Sequence, residues 1–176
     1  MEARFVSNLD PADLDDALDG AEPETTLILV VSKSFTTQET LLNARAARDW
    51  LTRGVGDAGA NLRFAAATAA PDKAAAFGLA PDAIFPFEEG VGGRYSLWSP
   101  AGLSLEASLG PAVYDRLLAG ARAMDDHVLS APPDANAALA KGLADAWNRA
   151  ARGRPARCVA AYSSRLERLP AYLQQL

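Results

Sequence analysis

The stretch that decides the fold reads Leu27-Ile28-Leu29-Val30-Val31-Ser32-Lys33-Ser34-Phe35-Thr36-Thr37. Its first five residues are all apolar, as in a central parallel strand that is buried on both faces. After Thr37, apolar residues recur at three- and four-residue intervals, which predicts an amphipathic helix: Leu41, Leu42, Ala44, Ala47, Trp50 and Leu51. The segment 32–37 is therefore predicted to be the turn between a strand and a helix.

This turn has the chemistry of a phosphate site. A helix start exposes unpaired backbone N–H groups and the positive end of the helix dipole, which together attract a dianion. Lys33 adds a positive charge, no acidic residue lies within 32–38, and the hydroxyl donors are Ser32, Ser34, Thr36 and Thr37. The alternative interpretation is that Thr36 or Thr37 only caps the helix, with Glu39 favourable in its first turn.

Composition excludes several classes of function. The chain has 176 residues, 49% hydrophobic content and a formal net charge of −5, which fits one ordinary domain with a core and argues against nucleic acid as a partner. No stretch resembles a membrane span or a signal peptide, so a cytoplasmic location is expected by default.

Two residues are unique in the chain, Cys158 and His127. One cysteine and one histidine exclude an internal disulfide and a thiolate or imidazole metal site, and we expect no metal and no cofactor. Cys158 is predicted to be a small core residue, and His127 is predicted to have a structural role on a helix.

Strand and helix patterns alternate along the chain, which predicts an α/β layer fold with a parallel sheet. Strands are expected at Arg4–Ser7, Thr26–Val31, Leu62–Ala67, Ala83–Phe85 and Arg157–Ala161. Helices are expected at Ala12–Leu18, Thr37–Arg53, Pro71–Phe77, Ala101–Ala107, Ala112–Val128, Ala137–Ala151 and Ser164–Gln174. Asp10 and Asn136 are plausible helix N-caps.

One motif does not carry its usual meaning. Gly54, Gly56 and Gly59 have the G-x-G-x-x-G spacing, but a dinucleotide fingerprint must follow a strand and open a helix. These glycines follow a predicted helix, so we interpret them as a helix stop and a loop. General nucleotide binding is therefore not supported.

A second informative segment runs from Gly90 to Ser99 and contains Gly92-Gly93-Arg94. Glycines allow the backbone to approach a ligand or to turn with positive φ, and the arginine beside them is held on a short tether. Its planar fork of donors suits an oxyanion or a developing enediolate. The alternative is a tight turn in which Arg94 pairs with Glu88 or Glu89.

Together these segments resemble the phosphoglucose isomerase family. Ser32–Thr40 looks like its phosphate loop, and Gly90–Ser99 looks like its glycine-glycine-arginine signature. The similarity covers essentially the whole chain and continues through Phe5–Asn8, Met124–His127 and Leu169–Gln175. Ser34 stands where threonine is usual in the family, and Gly90 stands where the family usually has an aromatic residue.

The resemblance implies a fold and a set of roles. The fold is a three-layer αβα sandwich with a five-stranded parallel sheet, the sugar-isomerase (SIS) domain, with residues 1–176 as a single domain of a longer chain. The phosphate of the substrate would be bound by Ser32, Lys33, Ser34 and Thr37, with Gly93 and Gln175 at the sugar phosphate. Arg94 would be catalytic and stabilise the enediolate.

The implied activity is glucose-6-phosphate isomerase, which interconverts glucose 6-phosphate and fructose 6-phosphate. Proton transfer needs a base, ring opening needs an acid and the enediolate needs a cation, and residues 1–176 contain only the cation. The chain alone is thus predicted to be inactive, and the full-length family enzyme is a homodimer. The alternative is a non-catalytic regulatory module that binds a sugar phosphate.

Overall fold

The computed structural model describes residues 2–176, and their contacts divide them into two units. The first unit ends at Pro111 and the second is Ala112–Leu176. The first has an α/β fold built on three parallel strands in the order β1 (Ile28–Val31), β2 (Phe64–Thr68) and β3 (Ile84–Pro86). The prediction of a parallel sheet is confirmed.

The predicted number of strands was wrong. The sheet has three strands and not five, because 4–7 and 157–161 are not strands. A strand forms only where its backbone pairs with a neighbouring strand. The local pattern of apolar residues does not show whether such a neighbour exists. The guanidinium of Arg4 instead donates to the backbone oxygens of Ala17 and Asp19.

Two helices cover one face of the sheet in the first unit. α2 (Gln38–Asn61) connects β1 to β2, and α3 (Pro71–Ala76) connects β2 to β3. Both helices pack on the same sheet face, since one cluster of buried residues contains side chains from both helices, β1 and β2, and Ile84 of β3 packs against it: Val30, Phe35, Ala44, Leu51, Ala60, Phe64, Ala66, Ala74 and Leu79. Shorter helices in this unit are α1 (Pro11–Leu18) and α4 (Leu103–Leu109).

β2 is the centre of the sheet and reads Phe-Ala-Ala-Ala-Thr. All five of its residues are buried. Since successive side chains of a strand point to opposite faces, both faces of β2 are covered. The small alanine side chains let the covering elements approach the sheet closely.

α2 is longer than predicted, and the helix stop and loop expected at Gly54, Gly56 and Gly59 was wrong, since only Gly56 breaks the helix. Gly56 has φ +71° and ψ 171°, a conformation that residues with a Cβ rarely adopt. We predicted that the helix would end near Arg53, but helical turns resume after Gly56 and continue to Asn61.

The regular structure of the second unit is helical. It contains α5 (Pro111–Ser130) from Ala112 onward, α6 (Ala137–Ala150) and α7 (Leu169–Gln175). His127 Nε2 accepts a hydrogen bond of 3.0 Å from the backbone N–H of Ala137 and so joins α5 to the start of α6, which confirms its structural role. Cys158 is exposed, so its expected core position was wrong.

The predicted caps are also in place. Asp10 accepts from the N–H of Ala12 at 3.0 Å, and Asn136 accepts from the N–H of Leu139 at 3.1 Å. None of the helices between residues 2 and 176 has an apolar stretch long enough to cross a bilayer.

Candidate functional site

The predicted phosphate loop and the glycine-arginine segment leave the sheet at the same edge. Residues 32–37 follow β1 and residues 87–98 follow β3, and ligands of parallel sheets bind outside the carboxyl ends of their strands. β2 lies between them, and neighbouring strands are about 4.8 Å apart, so the ends of β1 and β3 are separated by roughly 10 Å. A ligand that reaches both segments must carry two polar groups several bonds apart.

The backbone of the loop is held by β2. The carbonyl oxygen of Lys33 accepts from the N–H of Ala69 at 3.0 Å and from Thr68 Oγ1 at 3.2 Å. Thr68 is fully buried, and its hydroxyl oxygen also accepts from the N–H of Ala70 at 3.0 Å. The Lys33 side chain is exposed, so a fixed backbone carries a side chain that can reach a ligand.

Phe35 anchors the middle of the loop. It is 3% exposed and packs edge to face on Phe77, with 5.7 Å between ring centroids. Its φ is +50°, a left-handed conformation that costs a residue with a Cβ about 1 to 2 kcal/mol. Burial of an aromatic ring offsets a cost of this size, and the anchored ring leaves the polar residues on either side at the surface.

The hydroxyl groups of the loop are not used to cap α2. Thr37 occupies the N-cap position without a side-chain capping bond, in contrast to Asp10 and Asn136 on their helices. The first N–H groups of α2 therefore have no side-chain acceptor from this position. This geometry does not support the capping interpretation of Thr37.

The hydroxyl of Ser32 is the most unusual polar group here. Ser32 is buried, and within residues 2–176 its Oγ has no hydrogen-bond partner. An unpaired buried hydroxyl is unfavourable by about 1 to 3 kcal/mol, and such groups occur where a ligand completes the bond. The neighbouring hydroxyls of Ser34 and Thr36 are exposed and lie 2.7 Å apart.

Two residues that hold the loop were not identified from the sequence. Thr68 supports Lys33 as described, and Lys73 Nζ on α3 donates to the carbonyl oxygen of Ser34 at 3.2 Å. The available signal for Thr68 was a single hydroxyl that ends an alanine-rich strand. Lys73 gave no local signal, because its acceptor lies 39 residues earlier in the chain.

The second segment forms a 3-10 helix over Gly93–Trp98. Arg94 is exposed in its first turn, and Ser96 Oγ stabilises that turn by donating to the carbonyl oxygen of Gly93 at 2.7 Å. Gly90, Gly92 and Gly93 do not have positive φ, so a positive-φ turn is excluded. A Cβ at Gly93 would meet no atom within 4 Å, so packing within the chain does not require glycine there.

Gln175 is the remaining predicted site residue. It is exposed and is the last residue of α7, in the second unit. The structure thus brings Ser32, Lys33, Ser34 and Thr37 together in one loop and places Gly93 and Arg94 at the same sheet edge. Within residues 2–176, no group of three or more His, Cys, Asp or Glu side chains could hold a metal ion.

We expect Thr68→Val to destabilise the first unit by about 1 to 3 kcal/mol, since it removes a buried hydroxyl that donates to the Lys33 carbonyl and accepts from the N–H of the half-buried Ala70. Valine keeps the shape of threonine, so the loss isolates the hydrogen bonds. Denaturant unfolding measures the effect. Thr52→Val, at a half-buried position of α2, is the control and should change stability by less than about 0.5 kcal/mol. Equal stability of both variants would contradict a supporting role for the Thr68 hydroxyl.

Comparison with known proteins identifies the family to which this chain is similar. The family model described as phosphoglucose isomerase matches residues 1–176. A glucose-6-phosphate isomerase of Ruegeria pomeroyi is 51% identical over 98% of this chain, and one of Brucella anthropi is 47% identical over 99% of it. The chain covers 32% of each relative, so it spans about a third of their length.

The chain is also similar to solved structures. A glucose-6-phosphate isomerase from Chlamydia trachomatis superposes with a TM-score of 0.85 at 31% identity, over 97% of this chain and 33% of that one. A hypothetical protein from Thermus thermophilus superposes with a TM-score of 0.81 at 30% identity, over 97% of this chain and 40% of that one. Because the family model matches every residue and the structural similarity extends over nearly the whole chain, the chain belongs to the phosphoglucose isomerase family.

Proposed function

We propose that this chain is the substrate-phosphate-binding part of a glucose-6-phosphate isomerase, which interconverts glucose 6-phosphate and fructose 6-phosphate through an enediolate. The observation that carries the proposal is the loop after β1, where the buried hydroxyl of Ser32 has no partner and the start of α2 has no side-chain cap. A phosphate dianion satisfies both groups at once.

The substrate phosphate is bound by Ser32, Lys33, Ser34 and Thr37. Gln175 assists at the sugar phosphate. The backbone at Gly93 passes close to the sugar, which explains why no side chain stands there. These assignments put the phosphate beside β1 and the reacting carbons toward the segment after β3.

Arg94 stabilises the intermediate. A base removes the proton from C2 of the open-chain aldose, the electron pair moves into a C1–C2 double bond, and negative charge develops on the oxygen of C1. A guanidinium beside that oxygen lowers the energy of the enediolate. A proton then moves from the hydroxyl oxygen of C2 to the oxygen of C1, and return of the first proton to C1 gives the ketose. The base and the ring-opening acid lie outside residues 1–176.

We also propose the wider setting of this activity. Residues 1–176 belong to one sugar-isomerase domain with helical layers on both faces of the sheet, a proposal supported by the complete burial of β2. The full-length enzyme is a cytoplasmic homodimer that acts on a sugar phosphate.

A coupled assay tests the activity. The full-length protein should convert fructose 6-phosphate, whereas residues 1–176 alone should stay at background even at high protein concentration. If the full-length protein binds fructose 6-phosphate without turnover, the chain belongs to a non-catalytic sugar-phosphate-binding module. Turnover by residues 1–176 that is lost on changing Glu88 or Glu89 would show that the general base lies within these residues and not outside them.

Gly93→Ala tests the close approach of the sugar. The added methyl group meets no atom of the chain, so stability should change by less than about 0.5 kcal/mol. Affinity for fructose 6-phosphate should fall roughly tenfold, since a methyl group inserted into a filled space is unfavourable by more than 1 kcal/mol. Gly90→Ala is the control, because a Cβ there also meets open space. Isothermal titration of the full-length variants measures both, and equal affinities would remove Gly93 from the site.

A further inference from the structure

A cleft lies in the first unit, next to the phosphate loop. Its volume is about 430 Å³. The residues that determine its chemistry are three cations, one carboxylate and two aromatic rings: Arg45, Arg48, Lys73, Asp49, Phe35 and Phe77. None of Ser32, Lys33, Ser34 and Thr37 lines it. Of the loop residues only Phe35 lines the cleft, so the four proposed phosphate ligands lie outside it.

The cleft is positively charged in an acidic chain. Its lining carries two net positive charges, whereas the whole chain has a formal charge of −5. Every ion pair within residues 2–176 lies elsewhere. Asp49 is one helical turn from Arg45, but the Arg45 guanidinium lies over the Phe77 ring at 5.9 Å from its centroid instead of pairing with that carboxylate.

Two of the cations are held by neutral acceptors. Arg48 Nη1 donates to the carbonyl oxygen of Phe77 at 3.0 Å and Nη2 donates to Asn61 Oδ1 at 2.6 Å. Lys73 Nζ donates to the carbonyl oxygen of Ser34. These bonds orient the side chains without neutralising their charge, so an anion meets preorganised cations.

The aromatic residues of the cleft lining indicate a second property of the ligand. The half-buried Phe77 ring presents carbon surface next to the cations, with the buried Phe35 ring behind it, which suits a ligand with an apolar or planar part attached to its charged group. Two net positive charges match a dianion, and guanidinium groups bind phosphate oxygens through paired donors. We propose that this cleft binds a small organic phosphate, at a site that does not include the four proposed phosphate ligands of the loop.

Phenyl phosphate is the probe, and the full-length protein with Lys33→Ala is the background, because that change weakens the substrate-phosphate site. Isothermal titration should still detect phenyl phosphate, and inorganic phosphate should bind more weakly because it lacks the ring. Adding Arg45→Gln should weaken phenyl phosphate binding roughly tenfold through loss of a charge-assisted contact. Adding Arg53→Gln is the matched control, because Arg53 is an exposed arginine of α2 outside the cleft, and it should leave the affinity unchanged.

The outcomes of this titration either support or overturn the cleft site. Loss of binding on Arg45→Gln with retention on Arg53→Gln supports the cleft site. Absence of phenyl phosphate binding in the Lys33→Ala background, as when another part of the protein fills the cleft, overturns it. Equal affinity of the Arg45→Gln and Arg53→Gln variants overturns it too. Thermal melting shows that each variant is folded, and none of these results depends on isomerase turnover.

Discussion

Replacing Arg94 by alanine in the full-length enzyme should lower kcat about a hundredfold, or about 2.7 kcal/mol, as does the loss of one oxyanion donor elsewhere. KM should change much less, because the oxyanion forms only as the proton leaves and the benefit of the cation is greatest in the transition state. Arg94 suits this role because it is exposed in the first turn of a short helix that Ser96 stabilises.

Arg94→Lys tests the geometry of the donors. Lysine keeps the charge but loses the planar fork, so turnover should remain impaired. Arg53→Ala, which removes an exposed arginine far along α2 from the loop, should leave both kinetic constants unchanged. Steady-state kinetics on the three variants decides the role. A large rise in KM with kcat unchanged would identify Arg94 as a clamp on the ground-state substrate instead.

Lys33→Ala should weaken binding of fructose 6-phosphate by roughly 1.5 to 3 kcal/mol, which is about a ten- to hundredfold loss of affinity. The reason is the loss of one charge-assisted hydrogen bond to the phosphate. The Lys33 carbonyl remains bonded to Thr68 and Ala69 whatever the side chain is, so the fold of the loop should survive the substitution.

Isothermal titration of the full-length protein measures this loss, and near-unchanged thermal melting would show that the loop is intact. Lys33→Arg is the matched variant, since it keeps the positive charge and should retain part of the affinity. If Lys33→Ala binds as tightly as the parent protein, the lysine has no role in phosphate binding. The loop would then act through its hydroxyls and backbone alone.

The sequence predicted the helices and the central strands well and the outer strands badly. β1, β2 and β3 were found because apolar runs bounded by turn residues are typical of buried parallel strands. The segment 157–161 has a similar run, but its first four residues are exposed, and Arg157 at its start pairs with Asp145 of α6 at 2.9 Å. This apolar run does not form a strand. A strand needs a neighbouring strand to pair with, and the local pattern of apolar residues does not reveal whether one is present.

The sequence by itself determined where the candidate site lies. Hydroxyls and Lys33 between a strand pattern and a helix pattern define a strand-to-helix turn, and Arg94 follows two glycines after the last strand. Both features are local, because strand and helix periods, turn residues and side-chain chemistry are read within a few residues.

Only the tertiary structure decided how that site is supported. Thr68 holds Lys33 across a strand boundary, Lys73 reaches Ser34 over 39 residues, and Phe35 adopts its left-handed backbone because the core accepts its ring. The positive cleft also exists only after α2 and α3 pack on one sheet face. These features depend on contacts between segments distant in the chain, and the free energy that selects them comes from burial and hydrogen bonds that no single segment contains.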